Sequence, residues 1–120
     1  MVFSVNSVAQ VAISEYLDVV DVNQLHEFYQ QKRDLFSGLL TESRLKILPS
    51  EGTFFILASY EEVSTETDVD FAKILVRDFG VAAIPLSVFY ENPGKLRLIR
   101  FCFAKENETL IAAASKLLML

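Results

Sequence analysis

One hundred and twenty residues, 52% of them hydrophobic, suffice for one compact domain whose folding removes more than half of its unfolded surface from water. A net charge of −5, with every basic stretch interleaved with acids, argues against a nucleic-acid partner, because phosphate contacts need clustered Lys and Arg. The single cysteine, Cys102, excludes an intrachain disulfide and an all-cysteine metal site. It suits a reducing compartment and is expected as a small buried hydrophobe.

The N-terminal stretch Met1-Val2-Phe3-Ser4-Val5-Asn6 has no basic region and no long apolar run. Neither a signal peptide nor a membrane span is therefore expected, and the reading is of a cytoplasmic protein with no membrane partner. Because the chain opens abruptly on apolar residues, the natural protein is expected to continue upstream of Met1. Val8, Val11, Ala12 and Tyr16 fall at helical spacing and predict a short helix from Ser7 to Leu17 that breaks between Asp18 and Asn23. From Gln24, the positions of Leu25, Phe28, Tyr29, Lys32, Leu35, Phe36, Leu39 and Leu40 predict the longest helix. His26, near its start, reads as a solvated histidine.

Leu45–Leu48 and Phe54–Ala58 are apolar runs split by Pro49-Ser50-Glu51-Gly52, whose Pro and Gly supply turn chemistry, so they read as a hairpin. A polar loop over Glu61–Thr67 leads to Thr67-Asp68-Val69-Asp70, which has the form of a capping box. The helix it starts runs through Phe71, Ile74, Leu75 and Phe79 to Gly80, the usual left-handed C-terminal cap. Next, Val81–Ile84 reads as a short strand cut off by Pro85, Asn92-Pro93-Gly94 as a loop, Leu96–Ala104 as a strand, and Glu108–Leu118 as an amphipathic closing helix. The order predicts an α+β fold, a small mixed sheet covered by helices on one side.

Few residues offer chemistry. There is no Gly-rich phosphate loop, no zinc-binding His motif, no Cys-x-x-Cys and no nucleophile elbow. Asp68 and Asp70 sit where a helix dipole favours acids and read as structural. Arg97 and Arg100 are three apart on a strand and so point to opposite faces, and only Arg100 has hydrophobic neighbours on both sides. A guanidinium there needs an anion. Its planar fork suits a carboxylate, from outside the chain or from an ordinary salt bridge within the protein, and spacing leaves both open.

Several stretches resemble a known family. The run Gly80-Val81-Ala82-Ala83-Ile84-Pro85-Leu86-Ser87-Val88-Phe89-Tyr90, then Leu98-Ile99-Arg100-Phe101-Cys102-Phe103-Ala104-Lys105, is similar to the C-terminal part of class I pyridoxal-phosphate aminotransferases, in the branch of the methionine and kynurenine aminotransferases. Phe28–Asp34 and Pro49–Phe55 resemble the same branch in register. The opening Phe3–Gln10 resembles the segment after the catalytic lysine, with Ser7-Val8 in place of a common Thr-Pro.

The resemblance implies that residues 1–22 end the cofactor-binding large domain and that residues 23–120 form the small C-terminal domain, preceded by a long interdomain helix. It implies an enzyme that moves an amino group from an amino acid, methionine or aromatic preferred, to a 2-oxo acid. Pyridoxal phosphate would be the cofactor, with the large domain of the same polypeptide and a second copy of the protein as partners. It also implies that Arg100 binds the substrate α-carboxylate, that Phe3 borders the substrate pocket, and that the Pro85–Tyr90 loop lies near the site entrance. No catalytic, cofactor-binding or metal-binding residue is assigned within the chain, which is expected to be inactive alone. The competing readings are a free-standing small-molecule-binding or dimerisation module, and the same domain of a pyridoxal-phosphate carbon–sulfur lyase.

Overall fold

The computed structural model describes residues 5–120. Helix α1 (Ser7–Val19) is capped by Asn6, whose side chain accepts from the backbone N–H groups of Val8 and Ala9. A 3-10 turn at Val22–Gln24 marks the predicted break and leads into α2 (Leu25–Leu39). Strands β1 (Lys46–Ile47) and β2 (Phe55–Ser59) form the expected hairpin, with Lys46 opposite Ser59 and Ile47 opposite Ala58. Helix α3 (Asp68–Phe79), strand β3 (Ile84–Pro85), a 3-10 turn at Ser87–Phe89, strand β4 (Leu98–Cys102) and helix α4 (Asn107–Leu117) complete the order.

The ends of α3 follow their local chemistry. Thr67 accepts from the Asp70 N–H at 3.2 Å while its hydroxyl donates to the Asp70 carboxylate at 2.8 Å, so cap and acid hold each other. At the other end Gly80 takes φ 62°, and the Val81 N–H reaches back to the Leu75 carbonyl at 3.0 Å. That bond corrects the expected Val81–Ile84 strand: Val81 belongs to the helix cap, and pairing starts only at Ile84. Pro85 does not cut the strand off but lies within it, opposite Ile99. An edge strand tolerates proline, since no neighbour needs its missing N–H.

The sheet has the order β1-β2-β4-β3. All of its pairings are antiparallel, where a mixed sheet was expected. The α+β architecture is as expected; each strand simply returns against its spatial neighbour. Alternation then divides the two faces. Ile56, Ala58, Ile99 and Phe101 point to the side where Phe36 of α2, Phe71 and Leu75 of α3, and Leu110, Ala114 and Leu117 of α4 close one buried cluster. Lys32 ties α2 to the start of α4, donating to the Lys105 carbonyl at 2.7 Å and the Asn107 side chain at 3.2 Å. The other face carries Lys46, Phe55, Leu57, Ser59, Ile84, Leu98, Arg100 and Cys102, and among the described residues the buried cluster has no member on it.

Helix α1 stands apart from this core. None of its residues is buried, and Val8, Val11, Ile13, Tyr16, Leu17 and Val19 are all exposed. No helix among the described residues is long and apolar enough to cross a membrane.

Candidate functional site: an arginine on the open sheet face

Arg100 lies at the centre of β4, opposite Leu57 of β2 on one side and Ile84 of β3 on the other. Ile99 and Phe101, its neighbours in sequence, are 0% and 3% exposed, so they anchor the strand while Arg100 projects from the uncovered face. Among the described residues no carboxylate forms an ion pair with its guanidinium, and no side chain or carbonyl accepts a hydrogen bond from it.

Aromatic rings hold the guanidinium instead. Its carbon lies 4.6 Å from the Phe55 ring centroid and 5.2 Å from that of Phe89, both within cation–π range. The ring faces attract the charge while the N–H edge stays available for a planar acceptor. Arg100 also lines a groove of about 660 Å³ between the Gly80–Ile84 stretch and α4, whose walls include Val81, Ala83 and Ala113.

Local structure sets both rings. Phe55 follows Thr53, whose φ of 68° is a rare conformation for a β-branched residue, and the Thr53 hydroxyl accepts from the Phe55 N–H at 3.3 Å. Phe89 belongs to the 3-10 turn at Ser87–Phe89, which is tied to the start of α3. Asp68, only 3% exposed, accepts from the Ser87 N–H at 2.6 Å and from its hydroxyl at 2.7 Å. A third bond, from the Val69 N–H at 3.0 Å, and the positive end of α3 complete the surroundings of this acid.

Arg97 lies just outside β4, in a pocket with Asp68, and takes no part in the Arg100 cluster. The Pro85–Tyr90 loop does reach Arg100, through Phe89. Phe3 lies outside the described residues. His26 is solvated, as expected, with its side chain 77% exposed. Cys102, expected as a buried hydrophobe, is exposed. The reason is parity: two residues along β4 from Arg100, it shares the open face. The Asp68–Ser87 bonds could not be read from the sequence, since they join positions 19 residues apart with no common motif.

The small antiparallel sheet with one helical layer, and the arginine on its free face that is unpaired among the described residues, belong to a chain of a known family. The family model for aminotransferase class I and II matches residues 2–117, and the chain belongs to that family. It is 50% identical over 119 residues to Escherichia coli methionine aminotransferase, covering 98% of this chain and 31% of that protein. Rat kynurenine–oxoglutarate transaminase 3 is 31% identical over 103 residues, covering 76% of this chain and 23% of that enzyme.

Solved structures agree. The crystal structure of YbdL from Escherichia coli, identified there as a methionine aminotransferase, superposes with TM-score 0.90 at 50% identity over 98% of this chain and 31% of that one. N-succinyldiaminopimelate aminotransferase from Mycobacterium tuberculosis superposes with TM-score 0.81 at 31% identity, over 92% of this chain and 29% of that one. The chain thus spans less than a third of the length of these relatives.

Proposed function

We propose that this chain is the C-terminal part of a pyridoxal-phosphate-dependent aminotransferase, with Arg100 as the anchor for the α-carboxylate of its amino acid and 2-oxo acid substrates. The observation that carries this reading is a guanidinium on the open sheet face, held by two aromatic rings and lacking any carboxylate partner among the described residues. A bidentate pair there fixes the substrate at two oxygens and so sets the direction of its Cα–H bond, and such positioning lowers a barrier by converting a search into a fixed encounter. Residues 1–22 are the end of the large domain and 23–120 the small domain. The support for that boundary is α1, which adds nothing to the core that α2, α3 and α4 share. Its exposed apolar side chains suit burial against the large domain of the same polypeptide, and the whole enzyme is a homodimer in this reading.

The residues present do not fit the role of holding pyridoxal phosphate themselves. Among the described residues the open face offers Phe55, Leu57, Ser59, Ile84, Leu98, Arg100 and Cys102, with a single amine, Lys46, on the outer strand β1 two strands from β4, and no Gly-rich phosphate cradle. In our reading the cofactor's lysine lies outside the chain, and the chain alone is inactive. Phe89 beside the arginine, and Tyr90 after it in the chain, are 57% and 55% exposed and give the site an apolar border that favours methionine or aromatic substrates.

The test is a chimera in which this chain replaces the aligned stretch of the E. coli methionine aminotransferase. The chimera is expected to convert methionine to its 2-oxo acid, and Arg100→Lys to lower kcat/KM about a hundredfold, the scale of a charge-assisted bidentate contact. An Arg100→Lys chimera as active as its parent would overturn the carboxylate assignment. Release of ammonia and a 2-oxo acid without an amino acceptor would instead mark a lyase.

A further inference from the structure

The Asp68–Ser87 pair has no evident purpose in the core. A carboxylate 3% exposed is costly to bury, and two of its three bonds go to Ser87, in the 3-10 turn of the long β3–β4 connection and not in its own helix. That connection is otherwise loosely held. Its near end is joined to β4 by the Leu86 N–H on the Leu98 carbonyl at 3.3 Å, and its turn closes on itself through Phe89 to Leu86 and Tyr90 to Ser87. Val88, Phe89 and Tyr90 at its tip are 60%, 57% and 55% exposed. Burial therefore does not fix the Phe89 ring; the backbone must.

Ser87 is where that backbone is fixed. The Asp68 carboxylate takes both its N–H and its hydroxyl, two charge-assisted bonds to one residue, and so sets the position and the rotation of the 3-10 turn. Phe89 is two residues on in the same turn, and its ring is 5.2 Å from the Arg100 guanidinium. The path runs from α3 through one side-chain clasp and one rigid turn to the charge. Phe55, on the hydrogen-bonded strand β2, supplies the second ring without such help.

We infer that Asp68 and Ser87 are positioning residues: by clasping the turn that carries Phe89, they hold the Arg100 guanidinium in the orientation that receives a substrate carboxylate. This inference rests on the carboxylate-anchor reading of Arg100. A long side chain left free would have to be ordered on each binding event, whereas one already held against two rings meets the carboxylate with its N–H edge set. The clasp acts on substrate affinity through Phe89 and touches no reacting atom.

Two measurements test it together. In the chain itself, the Arg100 side-chain Nε–H resonance, assigned by its loss in Arg100→Lys, reports the ring currents of its aromatic neighbours. Phe89→Leu, Ser87→Ala and Asp68→Asn are each expected to move it in the same direction, and Asp68→Asn combined with Phe89→Leu to move it no further than Phe89→Leu alone. Ser87→Thr, which keeps the hydroxyl, is expected to leave it in place. In the chimeric holoenzyme, Phe89→Leu and Ser87→Ala are expected to raise KM for methionine about fivefold to tenfold with kcat changed less than about twofold, the signature of lost binding and not of lost chemistry.

Phe89→Leu alters an exposed side chain, so the test survives if Asp68→Asn does not fold. An unmoved resonance in folded Ser87→Ala, or a shifted resonance with unchanged KM, overturns the clasp while Arg100→Lys still impairs the enzyme. If Arg100→Lys has no effect either, the anchor reading fails and takes the clasp with it.

Discussion

Tyr60 offers a sharp test of how the core is wired. Its ring is fully buried and stacks on Phe71 at 4.1 Å between centroids, and its hydroxyl donates to the Glu66 carbonyl at 3.0 Å. Burial pushes the phenol up to about 12, with the Asp68 carboxylate adding to the rise and Arg97 opposing it. In the unfolded chain the phenol returns to its ordinary value of 10.0. The native state therefore keeps its proton where the unfolded state has lost it, and stability is full below pH 10 and falls as pH rises toward 12.

At about pH 11.5 the loss from a two-unit shift is roughly 1.9 kcal/mol, and solvent screening near a loop-lined phenol reduces it to about 1. Tyr60→Phe removes the titration along with the hydrogen bond, whose absence costs about 1 kcal/mol near neutrality. Urea unfolding of both proteins, followed by circular dichroism at pH values from about 8 to 11.5, should show Tyr60→Phe less stable at the low end and the two curves converging at the high end. Taking the difference between the two proteins cancels the titration of the lysines. Parallel curves across that range would refute the assignment of the raised phenol to Tyr60.

Two further predictions concern the helices. Gly80→Ala should destabilise the chain by about 1–2 kcal/mol, because φ 62° strains any residue with a Cβ, while the atom nearest that Cβ, the Lys116 ammonium at 3.3 Å, is flexible enough to yield. Gly80→Asn should cost less, since asparagine tolerates that conformation, and equal losses in thermal unfolding would count against backbone strain as the cause. The exposed apolar side chains of α1 should make the chain self-associate, and Val8→Ser with Leu17→Ser should weaken that in sedimentation velocity. A wild-type chain that stays monomeric at about 0.5 mM would argue that α1 has no partner to replace.

Features fixed by neighbouring residues were legible in the sequence. Thr67, Asp70 and Gly80 delimit α3 through bonds spanning only a few positions, and the hairpin follows from two apolar runs around a Pro–Gly turn. Features fixed across the sheet were not. Whether Pro85 ends a strand or lies in one depends on its being at an edge, which only the order β1-β2-β4-β3 determines. Cys102 is an instructive miss, because the same two-residue alternation that projects Arg100 outward carries Cys102 with it. Its type suggested burial, whereas its position in the strand decided the matter. Arg100 itself stood out as a cation among apolar neighbours, but the rings that hold it come from positions 55 and 89, and the acid that steadies one of them from position 68.

The alternation of β4 has one more consequence. Ile99, Arg100 and Phe101 interleave a core side chain, a charge and a second core side chain within three consecutive positions. Sliding this strand by one residue would drive a guanidinium into the helical layer and expose two large hydrophobes at once. The register that projects the arginine outward is therefore the one in which both hydrophobes are buried, and any slip is opposed by both costs together. In β4, assembly of the domain serves as its own proofreading of the site.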